Sequence, residues 1–285
     1  MKTTTLFSSL FVAIFVLITA CNSEKKETPQ DVSPIPKEVV KPSEDVVFVL
    51  DVSASMLAQD FVPNRLEAVK NMLKKMIAER ELQQRMSIIL FAGEGFILCP
   101  LTKDSTALME KVDLIQADRM DEGTAIGLGM MLGLYELSKS KSAQKDMIVL
   151  TDGVNNMGEY APSFAAQIAT QQNIQIHSFG VGCTGTALSP IAKRPDNTFV
   201  FGNTPVEIDE EILKAIGEQT QGNYLRVTCS SDLENLQYLN CLMDHSNPTP
   251  MPNKLDTFPA EVLDSFWNAL YLKDKITLKN FNTLE

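Results

Sequence analysis

Val46-Val47-Phe48-Val49-Leu50-Asp51-Val52-Ser53-Ala54-Ser55 decides the fold of this chain. Its first half is β-branched and aromatic without polar alternation, the pattern of a strand buried on both faces. Its second half sets oxygen-bearing side chains at every second residue, Asp51, Ser53 and Ser55, where the strand runs out. Met147-Ile148-Val149-Leu150 followed by Thr151-Asp152-Gly153 repeats the arrangement. Between the two, Gly123-Thr124 leads into a stretch with helical periodicity. Strands buried on both faces belong to a parallel sheet covered by helices, where ligands bind beyond the carboxyl ends of the strands at a switch in strand order. Asp51 and Asp152 are predicted to rise at that edge.

Outward from this stretch, strand and helix patterns alternate. Asn64 can cap a helix whose stripe is Leu66, Val69, Leu73, Met76 and Ile77, with Glu67 three residues after the cap. Met86 to Phe91 and Gly95 to Cys99 read as paired strands joined by a turn, with Phe96 either in the core, the favoured reading, or near the rim of the site. Thr106 to Leu114 reads as a short helix. Thr124 to Leu137 reads as a helix with Ala125, Gly127, Gly129 and Gly133 on a face that can approach a sheet closely. Pro162 to Thr170, Ile174 to Val181, Asp209 to Thr220 closed by Gly222, Asn223 to Val227, and Leu233 to Met243 continue the alternation. Thr184 to Val206 reads as a long irregular segment. The fold class is therefore α/β: three layers, doubly wound, a mostly parallel sheet with helices on both faces and one antiparallel edge strand.

Asp51, Ser53, Ser55, Thr124 and Asp152 offer two carboxylates and three hydroxyls, a set suited to a small hard dication. Mg²⁺ fits best, with Mn²⁺ or Ca²⁺ as alternatives. Two carboxylates neutralise the ion, and five protein donors leave an octahedral shell incomplete. An undersaturated ion at a rim attracts an external carboxylate, so the expected partner is a protein that offers Asp or Glu.

Asp-x-Ser-x-Ser after a first strand, Thr before a later helix, and Thr-Asp-Gly after a central strand resemble the metal-ion-dependent adhesion site of von Willebrand factor type A domains. The resemblance to the bacterial aerotolerance (Bat) branch is more specific. It rests on Asp51 to Met56, Pro63-Asn64-Arg65-Leu66, Phe91 to Glu94, Cys99-Pro100-Leu101-Thr102, Asp121 to Gly127, Leu150 to Asn156 and Ile208-Asp209-Glu210, and covers about residues 45–243. It implies metal ligation by the five residues above and envelope work as a scaffold or assembly factor related to aerotolerance and stress. It also implies a link to a MoxR-type ATPase system and other Bat-type domains as partners. A surface adhesin is the alternative.

Catalysis finds little support in the residues. Haloacid-dehalogenase-type phosphatases need a second Asp two positions after the first, where this chain has Ser53. His177 and His245 are the sole histidines: the first lies within a strand pattern, the second in a linker pattern. No Gly-x-Ser-x-Gly or phosphate-binding glycine loop occurs. The expectation is a binding module, not an enzyme.

The formal net charge of −11 argues against nucleic acid as a partner. Residues 1–20 have a basic start and a short apolar run, the make-up of a signal peptide. Leu17-Ile18-Thr19-Ala20-Cys21 resembles a bacterial lipoprotein box, which implies that Cys21 carries lipid and anchors the chain in a membrane. The other reading is a signal cleaved nearby, with Cys21 an ordinary thiol. Residues 21–44 read as a polar, lipidated flexible tether, residues 45–245 as the metal-site domain, and residues 246–285 as a C-terminal, largely helical extension. Within that extension, Phe266, Trp267 and Tyr271 fall on one helix face, suited to packing back on the domain or to holding a partner. The expected location is the cell envelope, facing the periplasm or the exterior. Cys99, Cys183, Cys229 and Cys241 permit three pairings or none.

Overall fold

A computed structural model describes residues 44–117, 119–234, 258–259, 261–265 and 267–270. Six strands form the main sheet: β1 (Glu44–Asp51), β2 (Arg85–Phe91), β3 (Gly95–Thr102), β4 (Gln144–Thr151), β5 (Gln175–Val181) and β8 (Tyr224–Val227). Their order is β3-β2-β1-β4-β5-β8. All neighbours are parallel except β2 and β3. The chain moves one way from β1 to β2 and the other way from β1 to β4, so the switch point falls between β1 and β4.

The apolar run of β1 has a direct explanation. Val46, Phe48 and Leu50 enter one core, against Leu66, Val69 and Leu73 of helix α1 (Arg65–Glu79) and Leu108 and Val112 of α2 (Ser105–Asp113). Val47 and Val49 enter a second core, against α3 (Ile126–Ser138), α4 (Pro162–Gln171) and α5 (Glu210–Thr220). Every residue of the run is buried because each face of the sheet has its own helical layer. Phe96 is fully buried.

Local signals act as their chemistry suggests. Asn64 accepts from the backbone N–H of Glu67 at 2.9 Å and starts α1. The small face of α3 lets the helix sit directly on the sheet. A Cβ on Gly129 would stand 2.8 Å from Phe91 and one on Gly133 2.8 Å from Met147. Gly127 does not share that face: a Cβ there would stand 2.0 Å from the Tyr160 carbonyl oxygen in the loop before α4, two residues around the helix from Gly129. At the end of α5, Gln221 takes the left-handed conformation (φ 59°) expected of Gly222. Gly222 is needed for space: a Cβ there would stand 1.9 Å from the Ile176 carbonyl oxygen.

Two expectations change. Thr124 does not open α3, which begins at Ile126. The segment read as irregular contains an antiparallel hairpin, β6 (Thr186–Lys193) and β7 (Phe199–Pro205), which forms a separate two-stranded sheet. β6 is mostly exposed and contains Pro190, and β7 is half-buried along most of its length without alternation, so neither shows the in–out pattern that marks a strand in sequence. In the C-terminal extension, residues 261–265 and 267–270 are helical. Trp267 and Leu270 are buried in the second core, Trp267 with its ring 6.1 Å from that of Tyr135. Phe258 packs edge-on to Phe164 at 5.1 Å, and its backbone exchanges two 2.9 Å bonds with the Gln171 amide. These residues are part of the packed domain. A short helix, α6 (Ser230–Glu234), begins the region read as Leu233 to Met243. The remainder of that region, Phe266, Tyr271, His245, Cys241 and residues 1–43 lie outside the described residues. Cys99, Cys183 and Cys229 are thiols.

Candidate metal centre

The sheet register aligns Leu50 with Leu150, which puts Asp51 level with Thr151 and Asp152 one step beyond. Both carboxylates therefore stand at the switch point, and both are buried. Asp51 accepts from the backbone N–H of Ser53 at 2.9 Å through Oδ1 and from the Thr151 hydroxyl at 2.6 Å through Oδ2. These bonds fold the Asp51–Ser55 loop back over the end of β1 and fix the carboxylate plane.

The hydroxyls link the two carboxylates. Ser55 donates to Asp152 Oδ1 at 2.7 Å. The Ser53 and Ser55 oxygens share a hydrogen bond at 2.9 Å, and the Ser53 side chain also hydrogen-bonds Asp51. Ser55 is exposed while the carboxylates below it are not.

Thr124 reaches the cleft from the opposite wall. It is buried, and its hydroxyl lies 3.0 Å from where a Cβ on Gly153 would stand. A side chain at 153 would press on Thr124, which would have to give by a few tenths of an ångström. Two asparagines hold the wall in place. Asn156 Oδ1 accepts from the Thr124 backbone N–H, and Asn155 Oδ1 from that of Ile126, each at 2.9 Å. Asn155 thereby satisfies a donor at the start of α3, which has no side-chain cap of its own. The Ala125 N–H also bonds the Ala92 carbonyl at 2.6 Å, tying this wall to the end of β2.

Arg65 is the residue that sequence reading missed. At the first position of α1 it would be read as a solvated charge, yet it is buried. Its Nη1 donates to Asp152 Oδ2 at 2.6 Å, and its Nε and Nη2 grip both oxygens of Asp60 at 2.7 Å. The Cys183 N–H gives Asp60 a further bond at 2.9 Å, joining the end of β5 to the same network. A cation at a helix N-terminus is disfavoured by the helix dipole, and the two carboxylates offset that. Asp60 and Arg65 cancel, so Asp51 and Asp152 leave a local charge of −2, matched by one dication.

The electrostatics of the two carboxylates follow from burial and mutual repulsion. Burial, and then repulsion from Asp152, push the Asp51 carboxyl up from 3.8 to about 7. Burial also pushes Asp152 up, against the pull of Arg65. Two buried like charges with oxygen donors at their rim fit a hard cation: its charge removes their repulsion, and the hydroxyls supply neutral donors. Above them is a cleft of about 320 Å³, lined by Ser53, Ser55, Thr124 and Asn156 and walled on one side by Ile191 and Phe199 of the hairpin. His177 lies in the buried middle of β5, paired with Ile148, and does not line this cleft.

Comparison with known proteins identifies the family of the fold. The model of the von Willebrand factor type A domain matches residues 45–238. An uncharacterised protein of Borreliella burgdorferi is 32% identical over 184 residues, 64% of this chain and 53% of that one. Two solved structures cover 70% of this chain and 98% of their own, each with a TM-score of 0.59. One is the conserved hypothetical protein BatB from Bacteroides thetaiotaomicron, 27% identical, and the other an aerotolerance-related membrane protein from Bacteroides fragilis, 28% identical. The chain spans about half the length of the curated relatives it matches. Among the described residues, no helix is long and apolar enough to cross a membrane. With the family model matched over residues 45–238, more than half of its length, this chain belongs to the von Willebrand factor type A domain family.

Proposed function

We propose that this protein is a divalent-cation-dependent protein-binding module of the bacterial cell envelope. Asp51, Ser53, Ser55, Thr124 and Asp152 would hold the ion, with Mg²⁺ favoured over Mn²⁺ or Ca²⁺. The ion supplies a fixed positive charge with a place for a carboxylate from outside. The observation that carries this reading is the pair of buried carboxylates at the switch point, whose charge a single cation, Arg65, shared with Asp60, compensates only in part. The chain's own part is positional. Thr151 and the Ser53 N–H orient Asp51, Arg65 and Ser55 orient Asp152, and Asn156 holds the Thr124 backbone.

The envelope setting rests on the lipobox-like run ending at Cys21 and on the membrane description of the Bacteroides fragilis relative. In this reading, lipid on Cys21 anchors the chain, residues 21–44 act as a tether, and the domain serves as a scaffold for other envelope proteins, Bat-type domains included. A role in aerotolerance is part of the same proposal. The test is a pull-down from the native envelope with full-length protein. Capture in Mg²⁺ that is lost in chelator and in Asp51→Ala and Asp152→Ala supports the reading. Equal capture in all four conditions contradicts it. Cys21→Ser should move the protein from the membrane to the soluble fraction; unchanged partitioning contradicts the anchor.

A further inference from the structure

The β6–β7 hairpin is not required by either core, yet it is built into the site. The Gln59 N–H bonds the Leu188 carbonyl at 2.9 Å, fixing the hairpin to the segment that follows the Ser55 loop. Its ladder is interrupted at one point: Pro190 pairs with Phe201 and Ala192 with Val200, leaving Ile191 as the extra residue of a bulge. Bulges re-aim a side chain and are frequent beside binding sites. Ile191 is 55% exposed and lines the same cleft as Ser53, Ser55 and Thr124. Gly202 on the facing strand makes room for it, since a Cβ there would stand 2.8 Å from Ile191 Cδ1.

Other exposed apolar side chains stand on the segments that frame the site. Val154 (42%) and Met157 (47%) are in the loop after Asp152, and Leu188 (40%) is on the hairpin. These three lie outside the cleft lining, which on the hairpin side includes Pro190, Ile191 and Phe199. Lys193, with its ammonium 5.8 Å from the Phe199 ring, adds positive charge to the hairpin wall of a strongly acidic chain.

We infer that the hairpin reads the partner residue beside the metal-bound carboxylate: Ile191, with Pro190 and Phe199, forms a subsite for an apolar side chain. The occupant is an extended protein segment with Asp or Glu next to a Leu-, Ile- or Phe-type residue. The ion takes the acid and the bulge takes its neighbour. This inference rests on the metal reading above, and its test separates the two.

The probes are fluorescent seven-residue peptides on a Gly-Ser background, with a central Asp flanked by Leu or by Ser, and a central Asn control. Binding to the full-length protein is followed by anisotropy in Mg²⁺ and in chelator. Leu-flanked Asp peptides are expected to bind roughly tenfold more tightly than Ser-flanked ones. Ile191→Ser should erase that preference and retain the dependence on Mg²⁺ and on Asp, with an unchanged melting curve showing that the variant is folded. Metal-dependent binding with no flanking preference, or with a preference that Ile191→Ser leaves intact, overturns the hairpin subsite and spares the metal reading. Absence of metal-dependent binding by every Asp-centred peptide, or equal binding of the Asn control, overturns both.

Discussion

Arg65 donates to Asp152 across 2.6 Å with both side chains buried, so one carboxylate of the site is held by a protein cation. Arg65 also neutralises Asp60. We predict that Arg65→Met destabilises the metal-free protein by about 3–5 kcal/mol, the usual cost of leaving a buried charge without its partner. Mg²⁺ should recover part of this loss, because the ion compensates Asp152 but not Asp60. Urea unfolding with and without Mg²⁺ measures both effects, and equal losses in the two conditions would contradict the coupling.

The raised carboxyl of Asp51 gives a pH dependence with a definite sign. Its value of about 7 in the folded protein against 3.8 for the free group means that the folded state holds the proton more tightly. Stability of the metal-free protein should therefore fall as pH rises from about 4 to about 7 and level off above that. A bound cation must displace the proton, so Mg²⁺ affinity should rise over the same window and binding should release protons near pH 6. Calorimetry in buffers of different ionisation enthalpy detects the release. A flat affinity between pH 5 and 8 would contradict the assignment.

Asn155 and Asn156 separate helix support from site support. Asn155→Ala removes the acceptor for a donor at the start of α3 and should cost about 1 kcal/mol of stability. Asn156→Ala frees the Thr124 backbone and should weaken Mg²⁺ binding several-fold. Thermal melts and metal titration of both variants should show different balances of the two effects; identical profiles would argue against separate roles.

Gly127 tests the approach of α3 to the neighbouring loop. Gly127→Ala would bring a methyl group to within 2.0 Å of the Tyr160 carbonyl oxygen, so the backbone must shift. A loss of about 1–3 kcal/mol is expected despite the higher helix propensity of alanine. A variant more stable than wild type would contradict the packing.

Much of this was legible in the sequence where one physical signal dominated. The uninterrupted run from Val46 to Leu50 specified a strand between two helical layers, and Asp51 and Asp152 followed from the ends of such strands. The rest depended on contacts distant in the chain. Arg65 looks like a solvated helix-start residue until Asp152, 87 positions away, is brought beside it. The hairpin carries Pro190, exposes most of β6 and half-buries β7 without alternation, so no burial pattern announced it. Trp267 was readable as apolar, but its place against Tyr135 is set by the tertiary fold.

The central claim is that the cleft holds a dication with a coordination place open to an external carboxylate. Mn²⁺ titration of the full-length protein, followed by water-proton relaxation, tests it most directly. Wild type should show one saturable site with enhanced relaxation that declines as an Asp-centred peptide displaces bound water, and Asp51→Ala should show neither response. Absence of saturable binding, or the same response from wild type and Asp51→Ala, would contradict the claim.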